Sequence, residues 1–131
     1  MRPSRLLAIG AGAILLAAQT SIADPLPTRI GQCTNTTIKD VPTRLQDAVT
    51  KRPIPGSGSA VDFVNGGYQV SYDTIAAITQ SHAGDSVTIC LMSIPAGCPP
   101  GDNRGIIYKT TNLRTHGSWT LPDAEHRCGG A

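Results

Sequence analysis

All four cysteines of this chain, Cys33, Cys90, Cys98 and Cys128, lie downstream of a segment that has the features of a cleavable export signal. An exported chain matures in an oxidising compartment, where an even number of cysteines forms disulfides. A zinc site is the alternative, but the spacing contains no C-x-x-C pair. We therefore predict two disulfides, which restrict the fold to one that ties distant segments of a small domain together.

The export signal is predicted from three features of the N-terminus. Residues 1–5 contain two arginines, residues 6–18 are apolar or small, and Ser21-Ile22-Ala23 provides small side chains where a signal peptidase reads them. The apolar run is shorter than the about 20 residues of a membrane-spanning helix, and two prolines follow at once, which disfavours the alternative of an uncleaved anchor. We predict cleavage before Asp24, a single domain over residues 24–131, and a periplasmic or secreted protein without membrane insertion.

Removal of the signal changes the charge balance. The whole sequence has 11 basic and 9 acidic residues, and Arg2 and Arg5 belong to the signal, so nine of each sign remain. The few aromatic residues (three Tyr, one Trp and one Phe) are scattered. A nucleic-acid-binding domain needs a basic face with stacking side chains, and binding to anionic lipid needs a basic cluster. We expect neither partner.

Three disulfide pairings are possible for four cysteines. Residues 105–121 have the pattern of an antiparallel hairpin, whose open end would bring Cys98 and Cys128 together. That leaves Cys33 to pair with Cys90. The alternative pairing joins Cys33 to Cys128 and Cys90 to Cys98.

Alternation of apolar and polar residues predicts a mainly β domain, a small antiparallel β-barrel or sandwich with one or two short helices. Predicted strands are the segments 34–41, 61–63, 68–72, 86–94, 105–112 and 118–121. The strand at 86–94 is expected at the centre. Two stretches are ambiguous, because residues 43–51 suit one or two helical turns and residues 73–81 suit either a helical turn capped by Asp73 or a twisted strand. The mature N-terminus, residues 24–32, is expected to be loose.

The segment Asn65-Gly66-Gly67 favours a tight hairpin turn, because Asn and Gly tolerate positive φ. We expect Phe63, Tyr68, Val70 and Tyr72, on the two strands that this turn joins, to line one inner face.

The loop at residues 98–105, of sequence CPPGDNRG, is the candidate binding site. Two prolines and a predicted disulfide stiffen it, and it presents Asp102, Asn103 and Arg104. A stiff loop loses little entropy when it binds, which suits an inhibitor or a recognition loop. The simpler alternative is that the prolines and the cysteine only make this connecting loop rigid, and that the loop binds nothing.

Catalytic and metal-binding patterns are weak. His116, Asp123 and His126, with Glu125 beside them, offer zinc-type or copper-type ligands, but no i, i+4 histidine pair fixes two imidazoles on one helix face. No G-x-S-x-G motif is present. We expect no catalytic residues, no metal and no cofactor, and we interpret the histidines as ordinary surface residues.

The C-terminal third, with GDSVTICL at 84–91, CPPGDNRG at 98–105 and SWTLPDAEHRCGGA at 118–131, resembles a group of small uncharacterised exported proteins of Gram-negative bacteria. The resemblance implies secretion and disulfides and no particular activity. The segment from Tyr108 to Trp119, with polar residues between these two aromatic residues, is similar in its general pattern to periplasmic inhibitors of host lysozyme. Those inhibitors are small disulfide-bearing β-barrels. The lipobox and the Ser-Gly-x-x-Tyr segment of those inhibitors are absent.

Taken together, these patterns predict an exported, non-enzymatic domain that binds another protein or an envelope macromolecule. The first alternative is a periplasmic inhibitor of a lysozyme or another hydrolase. The second is a small metal-binding or hydrolytic enzyme.

Overall fold

A computed structural model describes residue 10, residues 12–17 and residues 24–130 of the chain. The predicted cleavage site and most of the predicted signal lie outside the described residues. Residue 10 and residues 12–17 are exposed and belong to no helix or strand. Within the described residues, no helix has the length and apolar character needed to span a membrane.

Six antiparallel strands form one curled sheet, a half-barrel, which confirms the predicted mainly β fold. In chain order the elements are β1 (Cys33–Asp40), β2 (Ser59–Phe63), β3 (Tyr68–Ser71), α1 (Ala76–Thr79), β4 (Ser86–Ser93), β5 (Ile107–Asn112) and β6 (Ser118–Pro122). The strand order across the sheet is β3-β2-β1-β4-β5-β6. The predicted strand at 86–94 is β4, and it lies in the interior of the sheet between β1 and β5, as expected.

The core fills the concave side of this sheet. Residues that alternate along the strands point inward, as the period of two in a strand requires. The buried cluster consists of Ile38, Val61, Phe63, Ile78, Val87, Ile89, Leu91, Tyr108 and Trp119. Helix α1 adds Ile78 to the cluster and packs against β2 and β6.

Gln69 joins the two edge strands of the sheet. Its side-chain Nε2 donates to the backbone oxygens of Tyr108 and Leu121 at 2.7 and 3.0 Å. Its Oε1 accepts from Thr110 Oγ1 at 2.5 Å and from Trp119 Nε1 at 2.9 Å. The side chain is 1% exposed, so all four hydrogen bonds are made away from water. In a full barrel, backbone hydrogen bonds would join the two edge strands. Here the side-chain hydrogen bonds of Gln69 on β3 make that connection.

Both predicted disulfides are present. Cys33 and Cys90 lie directly opposite each other on β1 and β4 and are bonded. Cys98 is bonded to Cys128 at the open end of the β5–β6 hairpin. The β5–β6 hairpin, which is confirmed, brings Cys98 and Cys128 together.

The two ambiguous segments have different outcomes. Residues 43–51 form no helix, because the Asp47 carboxylate accepts from the backbone N–H groups of Val49 and Thr50 and so closes a tight turn. Residues 73–81 do contain the helical turn α1, but Asp73 does not cap it. Instead the N–H of Ile75 donates to the Ser59 hydroxyl on β2.

The predicted inner face of the β2–β3 hairpin is wrong. Val61 lies opposite Gln69, whereas Ala60 lies opposite Val70 and Asp62 lies opposite Tyr68. Directly opposed residues share a face, so Phe63 points into the core with Val61, while Tyr68 and Val70 lie on the other face. Val70 is buried there, at 2% exposed, so the error concerns the shared face and not the burial of Phe63 and Val70. Tyr72 is 56% exposed.

Residues 24–32, predicted to form a loose N-terminus of the cleaved protein, are also more ordered than expected. Leu26 packs against the core, and Pro27 is buried. The Asn65 side chain donates to the Asp24 carbonyl at 3.1 Å, and the Gly31 N–H donates to the Leu91 carbonyl at 2.9 Å. These contacts hold residues 24–32 across the ends of the sheet.

Candidate functional site

The predicted binding loop and the C-terminal segment lie side by side at the open end of the β5–β6 hairpin. We call residues 98–105 and 122–129 together the C-terminal rim. The rim borders a groove of about 390 Å³. Its lining residues are Ser93, Ile94, Pro95, Gly105, Ile107, Pro122, Ala124, Glu125, His126 and Arg127.

An internal ion pair holds the loop itself. Both oxygens of the Asp102 carboxylate accept from the Arg104 guanidinium, at 2.9 Å each. The backbone N–H of Gly129 donates to the same carboxylate at 3.0 Å, and the N–H of Cys128 donates to the Arg104 carbonyl at 2.9 Å. The bidentate geometry fixes the plane of the guanidinium, and the two backbone bonds join the loop to the C-terminal segment.

The hydrogen bonds shift the ionisation of this pair. Donation from Arg104, followed by donation from the Gly129 N–H, holds the pKa of the Asp102 carboxyl well below its usual range. The same contact raises the pKa of Arg104. Both groups therefore stay charged at neutral pH.

Asp123 joins β6 to the end of the loop. One oxygen of its carboxylate accepts from the N–H groups of Gly105 and Ile106 at 2.8 and 3.0 Å. Gly105 has a φ of +102°, and a Cβ placed there would lie 3.2 Å from Cγ of Arg127. The absence of a side chain at Gly105 thus lets the stem of Arg127 pack directly on the loop.

Glu125 joins the rim to the opposite side of the half-barrel. Its carboxylate accepts from Arg44 at 3.0 Å, and the Arg44 side chain is only 15% exposed. The Arg44 guanidinium also lies 4.3 Å from the ring centroid of Tyr72 and donates to the Ser57 carbonyl. This contact of a cation with an aromatic face adds to the ion pair.

The structure brings only part of the predicted histidine–carboxylate set together. Asp123, Glu125 and His126 lie on the C-terminal rim, but His116 lies in the turn at the other end of β6. The five residues of β6 separate His116 from the rest by roughly 16 Å. Among residues 24–130 and the short described part before them, no cluster of three or more His, Cys, Asp or Glu could hold a metal ion.

A second polar cluster lies at the opposite end of the molecule and was not predicted. Asp85, 8% exposed, accepts from Arg114 in a bidentate pair and from the fully buried Asn112. Asn112 also donates to the Ser81 hydroxyl, and Arg114 contacts Nδ1 of His82 at 3.1 Å. This cluster fixes α1 to the β5–β6 turn. The cluster joins two segments that are 27 to 34 residues apart in sequence, so no local motif could have indicated it.

Next to this cluster a second groove, of about 450 Å³, runs between the end of β1 and α1. It is lined by backbone and small side chains, with His82 and Asp40 as its ionisable groups. None of the residues predicted to form the site lies there.

Comparisons of this chain with protein-family models, with curated proteins and with solved structures produced no match. The two disulfides fit a protein that folds outside the cytoplasm.

Proposed function

We propose that this protein is an exported, periplasmic or secreted domain that binds another protein or an envelope macromolecule through the C-terminal rim, without catalysing a reaction. The observation that supports binding most strongly is that internal contacts already hold the rim in one conformation. The Cys98–Cys128 disulfide, the hydrogen bond from the Gly129 N–H to Asp102 and the Asp123 carboxylate each join the loop to the C-terminal segment. A surface ordered in advance loses little entropy when a partner docks.

Export is supported by the sequence signal and by the disulfides. The described part of the apolar N-terminal run is exposed, and Leu26, close to the predicted cleavage site, packs against the core. This is the arrangement expected if residues 1–23 are removed. The resemblance to exported Gram-negative proteins points the same way.

Binding is favoured over catalysis by the state of the rim carboxylates. Asp102, Asp123 and Glu125 each accept hydrogen bonds from groups of the protein itself. A general base must be available to take a proton from a substrate or from a neighbouring imidazole. These three carboxylates instead position the backbone and Arg44.

A capture experiment tests the proposal. Protein recovered after expression of the full chain is immobilised and exposed to an envelope extract, and cross-linked partners are identified by mass spectrometry. We expect the wild type and the distant surface variant Gln80→Ala to capture the same partner. The double rim variant Asn103→Ala, His126→Ala should capture at least about tenfold less, since exposed contact residues contribute to affinity and little to stability. Equal capture by both variants, or no specific partner, would refute the proposal.

A hydrolase inhibitor is a specific form of this function, favoured by the rigidity of the loop at residues 98–105. We would measure lysozyme and protease activities with the mature protein at micromolar concentration. A drop in one activity that the double rim variant does not reproduce would identify the inhibited enzyme. Undiminished hydrolysis across the panel would remove this candidate.

A further inference from the structure

In the C-terminal rim, the acidic side chains are paired with groups of the protein, whereas the basic side chains are exposed. The carboxylates of the rim are bonded to groups of the protein: Asp102 binds Arg104 and Gly129, Asp123 binds the backbone of the loop, and Glu125, which also lines the groove, binds Arg44. Their acceptor capacity is thus largely used within the protein. Asp102 and Glu125 are 22% and 33% exposed but already paired, so the unpaired polar groups that the rim offers to a ligand come from its other polar residues.

Each of those other residues carries hydrogen-bond donors, and Asn103 and His126 carry an acceptor as well. Asn103, Arg104, His126 and Arg127 are all exposed. The Arg104 side chain is 47% exposed although its Nε and one terminal nitrogen are held by Asp102, so the fork is oriented before any ligand binds. The stem of Arg127 lies against Gly105, which brings the two arginines onto adjacent segments of chain.

The groove beside these donors has largely apolar walls. Ile94, Pro95, Ile107 and Pro122 line it, and Ile94 is 50% exposed. Met92, near the end of β4 and two residues before Ile94, is 46% exposed. Arg127 lines this groove, and Arg104 lies on the adjacent loop with its guanidinium oriented by Asp102. An apolar surface with two exposed guanidinium groups near it fits a ligand that carries both apolar side chains and carboxylates.

We propose that the C-terminal rim binds an acidic, partly apolar peptide segment of another protein, with its apolar side chains in the groove and its carboxylates on Arg104 and Arg127. This inference rests on the proposed binding function and specifies the chemistry of the partner. Charge complementarity at the border of the groove would set the orientation of the segment and its rate of association.

Selection from a random decapeptide library displayed on phage tests the partner chemistry. With protein recovered after expression of the full chain, we expect enriched sequences to contain Asp or Glu next to apolar residues. Synthetic versions of those peptides should bind the variant Arg127→Glu roughly tenfold or more weakly, and the wild type more weakly at high salt. The matched variant Arg52→Glu, an exposed arginine outside the rim, should bind like the wild type.

Enrichment of neutral or basic peptides, or no enrichment, would overturn the inference, as would equal loss of binding in Arg127→Glu and Arg52→Glu. These outcomes are separable from failure of the proposed function. If the double rim variant loses its envelope partner while the selected peptides show no acidic preference, binding through the rim stands and the acidic-peptide chemistry fails.

Discussion

Gln69 is the residue through which β3 contacts both β5 and β6. Its amide supplies two donors and accepts from two more groups, so every polar atom of the side chain is satisfied inside the core. A buried polar group that is fully paired stabilises one particular arrangement, because any slip of the strands would leave it unpaired.

Replacement of Gln69 by Leu keeps the volume approximately and removes the partner of four polar groups. We expect Gln69→Leu to lose at least about 3 kcal/mol of unfolding free energy, since each buried group left without a partner costs about 1–3 kcal/mol. Urea unfolding followed by Trp119 fluorescence measures this. Gln80→Leu, at an exposed position, should change stability by less than about 0.5 kcal/mol. Similar losses in the two variants would contradict the role given to Gln69.

Asp85 makes stability depend on pH. Hydrogen bonds from Arg114 and then from Asn112 hold the pKa of its carboxyl well below the usual range, and Asp102 is lowered by Arg104 in the same direction. A carboxyl whose pKa is lower in the folded state stabilises the fold above its unfolded pKa of about 3.9, and this contribution is lost as pH falls further.

We therefore expect the urea midpoint to fall when the pH is lowered from about 5 to about 2, with Asp85 as a main contributor. Asp85→Asn should be less stable than the wild type at neutral pH and should show a smaller fall on acidification. Asp73→Asn, at an exposed position, should follow the wild-type profile. An unchanged slope in Asp85→Asn would show that other groups control acid stability.

At the scale of elements, the loop before β2 depends on one close approach of backbone to backbone. A Cβ on Gly58 would lie 2.1 Å from the Ser71 carbonyl oxygen, and φ at Gly58 is +115°. Gly56, two residues earlier, has a φ of +73° but nothing within 4 Å of the same position. A side chain at Gly56 would therefore meet only the strain of a positive φ. A side chain at Gly58 would meet that strain and also a clash with the Ser71 backbone.

We expect Gly56→Ala to cost about 1–2 kcal/mol, the price of a left-handed conformation in an L-residue. Gly58→Ala should cost about 3 kcal/mol or more, because the Ser71 backbone must also move. Thermal or urea unfolding of both variants measures the difference. Equal losses of unfolding free energy in the two variants would mean that the loop before β2 can move away from β3 without destabilising the fold.

The elements that could be predicted from the sequence are those with local signals. The alternation in β4, the turn residues at Asn65–Gly67 and the β5–β6 hairpin are confirmed, and the hairpin led to the Cys98–Cys128 pair. The inward direction of Gln69 was missed, since a polar residue in an alternating strand normally faces water. Its partner Trp119 is 50 residues away, so only the curled sheet could reveal the contact.

The candidate site was predicted in part for the same reason. The stiff loop with Asp102, Asn103 and Arg104 has a recognisable sequence of prolines and glycine. The hydrogen bond from Gly129 to Asp102 and the groove beside Arg127 depend on the position of the C-terminal segment relative to the loop, which no local pattern encodes.

At the scale of the whole molecule, the two disulfides supplement a core with few large side chains. The loops that they close, with separations of 57 and 30 residues, imply roughly 4 and about 3.5 kcal/mol of stabilisation. Small domains have about 5–15 kcal/mol in total, so a reducing agent should lower the urea midpoint strongly or unfold the protein. Peptide mapping of the oxidised protein should find Cys33–Cys90 and Cys98–Cys128. An unchanged midpoint after full reduction would show that the core alone is sufficient.

Site-specific photo-crosslinking in cells that produce the full chain tests most directly whether the C-terminal rim is the binding surface. A photoreactive amino acid is placed at position 103 on the rim or at position 80 beside α1, both of which are exposed. We expect a discrete cross-linked product from position 103 and none from position 80. A product from position 80 alone, or from neither position, would contradict the assignment of the rim as the binding surface.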